Sequence, residues 1–108
     1  HIDDVCEIIF LQIKNFKKKH NDTFNVGGGI KNSISLKKLT NKCQKLTGNK
    51  LKTTKQKKTS IFDIPIYVND NSKITKKYKW KPKRSIDDIL KDVYSWLIKN
   101  KNIRNYFK

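Results

Sequence analysis

Methionine and alanine are absent from the 108 residues; arginine occurs only at Arg84 and Arg104, and proline only at Pro65 and Pro82. A translated chain starts with Met, so His1 in first place leads us to expect a piece of a longer protein. Ala codons are G/C-rich, whereas the abundant Lys, Asn and Ile have A/T-rich codons. A strongly A/T-biased coding sequence therefore accounts for much of the composition without a selected partner. Two cysteines, Cys6 and Cys43, are too few for a disulfide framework. Together with His1 and His20 they give no metal-ligand spacing, so a reduced, cytoplasmic setting is expected. No apolar run approaches the ~18–20 residues of a membrane span, and no secretory signal is present. Hydrophobic residues make up 35% of the chain. That is low for an independent domain, and suggests apolar surface meant for another part of the same protein.

What is abundant is positive charge: 26 Lys+Arg against 9 Asp+Glu, a formal net charge of +17. Such a balance raises a small basic nucleic-acid-binding module as one reading. The scarcity of arginine argues against nucleic acid, because readers of bases and phosphates exploit the flat, bidentate guanidinium. Trp80 beside Pro82 reads as a packing anchor rather than a base-stacking platform, since no second aromatic follows at a regular interval.

Hydrophobic spacing predicts a first helix to about Lys14, capped by Asp3 or Asp4, with Val5, Ile8, Ile9 and Ile13 on its apolar face. Thr23–Val26 is a short strand candidate that runs into Gly27-Gly28-Gly29. A second helix begins near Ser35, with Leu36, Leu39, Cys43 and Leu46 at helical spacing and Gly48 at its C′ position. Leu51–Thr54 is a further strand candidate. Ile64–Val68 is an edge strand or an extended segment, because Pro65 lacks an N–H. Asp70-Asn71-Ser72 starts a short helix through Lys77. Ser85 starts the clearest helix, whose buried stripe is Ile86, Ile89, Leu90, Val93 and Leu97. The expected fold class is α/β, helix-rich with short strands.

The residues alone leave the role of Gly27-Gly28-Gly29 open between a tight turn and a ligand loop; the spacing is not the dinucleotide fingerprint. Asp3-Asp4 and Asp87-Asp88 fall at helix starts, where the macrodipole favours acids, so capping is preferred over acid/base catalysis. His20 lies in a lysine-rich loop with no partner constellation. The five lysines between Lys50 and Lys58 could hold phosphate, although such runs are more often a solvated face.

A series of elements then falls in a familiar order. His1-Ile2-Asp3-Asp4 resembles the His-Val-Asp-Asp element of extended short-chain dehydrogenases/reductases. Phe24-Asn25-Val26-Gly27-Gly28-Gly29 is similar to their Tyr-Asn-Val-Gly-Gly-Gly element, and Asn32-Ser33-Ile34-Ser35-Leu36 to the start of the helix after it. Leu46–Lys50, Asp63–Val68 and Asp70–Ile74 resemble later family segments. Trp80-Lys81-Pro82 is similar to the Gly-Trp-x-Pro turn before the last helix. The resemblance is to the NAD-dependent epimerase/dehydratase family, nearest its CDP-sugar 2-epimerases.

It implies that the chain is the C-terminal, substrate-binding portion of an extended Rossmann-type enzyme. Residues 1–26 would end the Rossmann-side segment, and 27–108 would form the substrate-binding region and terminal helices. NAD, and the catalytic Tyr-x-x-x-Lys, would belong to an upstream Rossmann region of the same chain. The implied ligand is a nucleotide-sugar, a CDP-sugar in preference, with a homo-oligomer allowed. The substrate-contacting residues would be Gly27, Gly28, Gly29, Asn32, Ser33, Lys57, Lys58, Ser60 and Asp63. Ser60 stands where the family places a diphosphate-binding arginine, three residues before Asp63; either the substrate is held differently, with Lys57 or Lys58 supplying the charge, or this copy is impaired.

Overall fold

The computed structural model describes residues 1–16, 22–55 and 60–103. The described residues form helices α1 (Ile2–Lys14), α2 (Leu36–Thr47), α3 (Ser72–Tyr78) and α4 (Ile86–Lys99), with short 3-10 turns at Ile30–Asn32 and 101–103. The chain divides into two units: His1–Ser33 with Val68–Ser85, and Ile34–Tyr67 with Ile86–Lys108.

The first unit contains the fully buried core. His1, not Asp3 or Asp4, caps α1, its Nδ1 accepting the Asp3 N–H at 3.1 Å. Ile8 on α1, Ile74 on α3 and Trp80 just beyond α3 are buried together, with Leu11, Phe24 and Tyr78 packed around them. The expected face of α1 holds at Ile8 alone: Val5, Ile9 and Ile13 are exposed, the last at 63%. Among the described helices the main packing against α1 comes from the short α3, too little to cover a wide apolar stripe. Phe24 meets Tyr78 edge-on at 5.7 Å, and the Lys73 and Lys77 ammoniums lie over its ring at 5.1 and 5.4 Å. Both lysines also pair with Asp22.

In the second unit α2 packs on α4. Ser35 caps α2 by accepting the Lys38 N–H, and Gly48 ends it in the left-handed conformation at φ 73°. The side chains of Lys42 and Asp87 join the two helices through an ion pair. No residue of α2 or α4 is fully buried. Ile86, Ile89, Leu90 and Leu97 are half-buried and Val93 is exposed, so the buried stripe expected on α4 is only partly covered. One facing helix shields part of a stripe that a full core would enclose.

The α/β expectation is wrong: no strand occurs among the described residues, and Thr23–Val26, Leu51–Thr54 and Ile64–Val68 are irregular. A strand exists only by pairing its backbone with a neighbour, and none of these segments has one. At Gly27 the pairing is done by a side chain. Asn71 Nδ2 donates to the Gly27 carbonyl at 2.7 Å, and Asn71 Oδ1 accepts the Gly27 N–H at 3.1 Å.

Candidate functional site

The glycine loop and the tryptophan turn of the first unit meet around a cavity of about 490 Å3. One wall is the backbone from Gly28 to Asn32. A second is Asn71, Ser72 and Thr75 at the start of α3, and the third runs from Lys81 to Ser85.

Hydrogen bonds fix each wall. Asn71 clamps Gly27 at both backbone groups, as described. Close approach explains two of the glycines: a Cβ on Gly27 would lie 2.7 Å from the Asn69 side chain, and one on Gly28 2.8 Å from Asn32 Cβ. Gly29 sits at φ 67°, where other residues are strained. Asn32 Nδ2 donates to the Arg84 carbonyl at 3.1 Å, tying the glycine loop to the tryptophan turn. Ser33 Oγ donates to the Ile30 carbonyl at 2.7 Å and closes the 3-10 turn.

The tryptophan turn is held from the other side by α1. The Asp4 carboxylate, 5% exposed, accepts the Lys83 N–H at 3.1 Å and the Arg84 N–H at 3.2 Å. Trp80 Nε1 donates to the Asp4 carbonyl at 3.1 Å, and Thr75 Oγ1 to the Trp80 carbonyl at 2.9 Å. The indole is thus a packing anchor with a satisfied polar edge. The Lys83 ammonium pairs with Glu7 and the Arg84 guanidinium with Asp3.

Asn71 has no side-chain role at the cap of α3, because both its amide atoms are spent on Gly27. Asp70 acts there instead, accepting Ser72 N–H at 2.9 Å and Ser72 Oγ at 2.6 Å. These bonds, the hydroxyl's first, hold its carboxyl below the ordinary 3.8.

The expected substrate residues thus divide. Gly27, Gly28, Gly29, Asn32 and Ser33 come together in the first unit, with Gly28, Gly29 and Asn32 lining the cavity. Ser60 and Asp63 lie in the second unit, in a turn of their own. Asp63 Oδ2 accepts the Ser60 N–H at 3.1 Å, and Ser60 Oγ accepts the Phe62 N–H at 3.2 Å. Lys57 and Lys58 lie outside the described residues, as does His20. Lys31, Asn71 and Lys81 line the cavity as well. Asn71 carries a signal, since Asn next to a helix start commonly bonds backbone through its side chain; the two lysines are hidden among many.

Among the described residues, no helix is long and apolar enough to cross a membrane, and no three His, Cys, Asp or Glu side chains gather into a metal-holding group. Cys6 and Cys43 are free thiols. No family model matches the chain, and no solved structure matches it. A distant relation does emerge among curated proteins, one whose matched part is a minor share of the relative's length. Over 96 residues, 89% of its own length, the chain is 30% identical to the CDP-paratose 2-epimerase of Salmonella typhi, and it spans 28% of that protein.

Proposed function

We propose that the chain is the substrate-side portion of an NAD-dependent nucleotide-sugar epimerase, with a CDP-sugar as the favoured ligand. The observation that carries this reading is the 30% identity sustained over 96 residues to a CDP-paratose 2-epimerase. The site adds support. The stretch that follows Trp80 is bonded on one side to Asp4 of the His-Ile-Asp-Asp element and on the other to Asn32 after the glycine loop, with which it lines one cavity.

In this reading residues 1–26 end the Rossmann-side segment and 27–108 form the substrate side, within a cytoplasmic enzyme. The described residues offer neither a sheet nor a glycine fingerprint, so they do not fit NAD, and no chemical step is assigned to them. Their contribution is to position ligand. Ser60 brings one neutral hydroxyl where a charge-assisted fork would bind a diphosphate more strongly.

A chimera tests the proposal. The segment of the Salmonella typhi enzyme that aligns with this chain is replaced by the 108 residues, and interconversion of CDP-paratose and its 2-epimer is followed. Turnover is expected. A folded chimera that binds NAD yet shows neither turnover nor CDP-paratose binding overturns it. In the same chimera Ser60→Arg is expected to tighten CDP-paratose roughly tenfold, the difference between a charge-assisted and a neutral hydrogen bond.

A further inference from the structure

We propose that the cavity of the first unit binds the phosphate group of a small-molecule ligand, with Lys31 and Lys81 as the cations that hold it. Three observations lead there. The first is charge. The described residues that line the cavity include Lys31, Lys81, Lys83 and Arg84, and no acid. The Lys83 ammonium and Arg84 guanidinium are already taken by Glu7 and Asp3 on α1. Lys31 and Lys81 have no acidic partner among the described residues, and both are exposed to an entering ligand.

The second observation is commitment of the other donors. Ser72 Oγ donates to Asp70, Thr75 Oγ1 to the Trp80 carbonyl, and Asn32 Nδ2 to the Arg84 carbonyl. Both amide atoms of Asn71 are bonded to Gly27. These groups shape the walls and leave the two ammoniums to meet an incoming anion. The backbone N–H groups of Gly28 and Gly29, bare of side chains, donate to no protein acceptor among the described residues.

The third is rigidity and size. The walls are set by bonds that cross 44, 52 and 79 residues of sequence, so the cavity does not have to be assembled by the ligand. By contrast, a cavity of about 600 Å3 in the second unit is also free of acids among its described lining, but no hydrogen bond ties down its Thr53–Lys55 wall among the described residues. Two ammoniums match a phosphate dianion, and about 490 Å3 suits a phosphorylated small molecule. No described aromatic side chain lines the cavity, which disfavours a nucleic-acid strand, whose bases need stacking platforms.

The test uses inorganic pyrophosphate as probe on the 108-residue chain, at constant ionic strength, followed by amide 1H–15N resonances. Saturable shifts are expected at Gly28, Gly29, Lys31 and Ser72. The double variant Lys31→Gln/Lys81→Gln is expected to weaken binding at least tenfold. Lys31→Arg/Lys81→Arg should stay within threefold of the parent. The pair Lys38→Gln/Lys50→Gln, which removes equal charge elsewhere, should change it less than twofold. If the double glutamine variant loses its native spectrum, the two single variants decide, each expected to weaken binding at least threefold.

Shifts that grow without saturating overturn the proposal, as does equal weakening by the Lys38/Lys50 pair. So does binding of an oligothymidine that pyrophosphate does not displace, which would make this a polyanion surface. The epimerase reading is not assumed: its test is turnover by a chimera, so either can fail alone.

Discussion

Asp4 Oδ1 accepts the backbone N–H of Lys83 at 3.1 Å across 79 residues of sequence, and its second oxygen takes the next N–H, that of Arg84. A carboxylate in the first turn of a helix ordinarily faces solvent and serves the macrodipole. Here it is buried and spends its charge on a distant turn. Asp4→Ala would leave two N–H groups without acceptors and should lower stability by about 2–3 kcal/mol. Asp3→Ala removes exposed side-chain contacts with Arg84 and His1 and should cost less than ~1 kcal/mol. Urea unfolding of both variants checks the contrast; equal losses would mean that the Asp4 bonds contribute little.

The two units should answer core truncation differently. Ile74 is 0% exposed, so Ile74→Ala should cost about 2–5 kcal/mol. Leu90 on α4 is only half-buried, and Leu90→Ala should cost roughly half as much. Denaturation midpoints of the two variants, read at common m-value, decide.

Glycine replacements separate crowding from backbone preference. Gly28→Ala would push a methyl to 2.8 Å from Asn32 Cβ and should break the Asn32–Arg84 bond, at about 1–3 kcal/mol. Gly48 instead has positive φ with open space around it, so Gly48→Ala should cost only about 1–2 kcal/mol, and Gly48→Asn less. Faster solvent exchange of the Asn32 side-chain amide in Gly28→Ala, and not in the Gly48 variants, identifies the mechanism.

Acid should weaken the first unit through Asp22 and Asp70. Hydrogen bonds from Lys77, then Lys73, hold the Asp22 carboxyl below its ordinary 3.8, and those from Ser72 do the same for Asp70. A group whose folded value is depressed stabilises fully above its unfolded value and loses that contribution as pH falls through the folded one. The first unit should therefore keep this contribution above about pH 4 and shed it below. Lys77→Gln should move the Asp22 midpoint upward, measurable by carboxyl 13C titration; an unmoved midpoint refutes the assignment.

What could be read from the sequence was what is local. Ser35 and Gly48 announce the ends of α2 because a cap and a left-handed exit are decided within a few residues. The start of α3 was readable for the same reason. The strands were not, since pairing depends on a partner, and at Gly27 the partner is the side chain of Asn71. Of the cavity, the glycine loop was visible as a candidate, whereas Lys31 and Lys81 look like any other lysine until the fold puts them beside it. The burial of Asp4 is invisible locally for the same reason: its partners lie at the far end of the unit.

The first unit is discontinuous, with residues 34–67 interposed between its halves. On a ribosome, α1 emerges long before the turn that satisfies it. Gly27 waits for Asn71, Ile8 for Ile74 and Trp80, and the Asp4 carboxylate for Lys83 and Arg84, while α2 can already close on its own caps. A nascent chain arrested before the tryptophan turn would therefore present a helix with an unsealed apolar flank, the kind of surface that chaperones and proteases recognise. Birth order, set by where Asp4 finds its bonds, leaves α1 waiting for a turn 79 residues further along the chain.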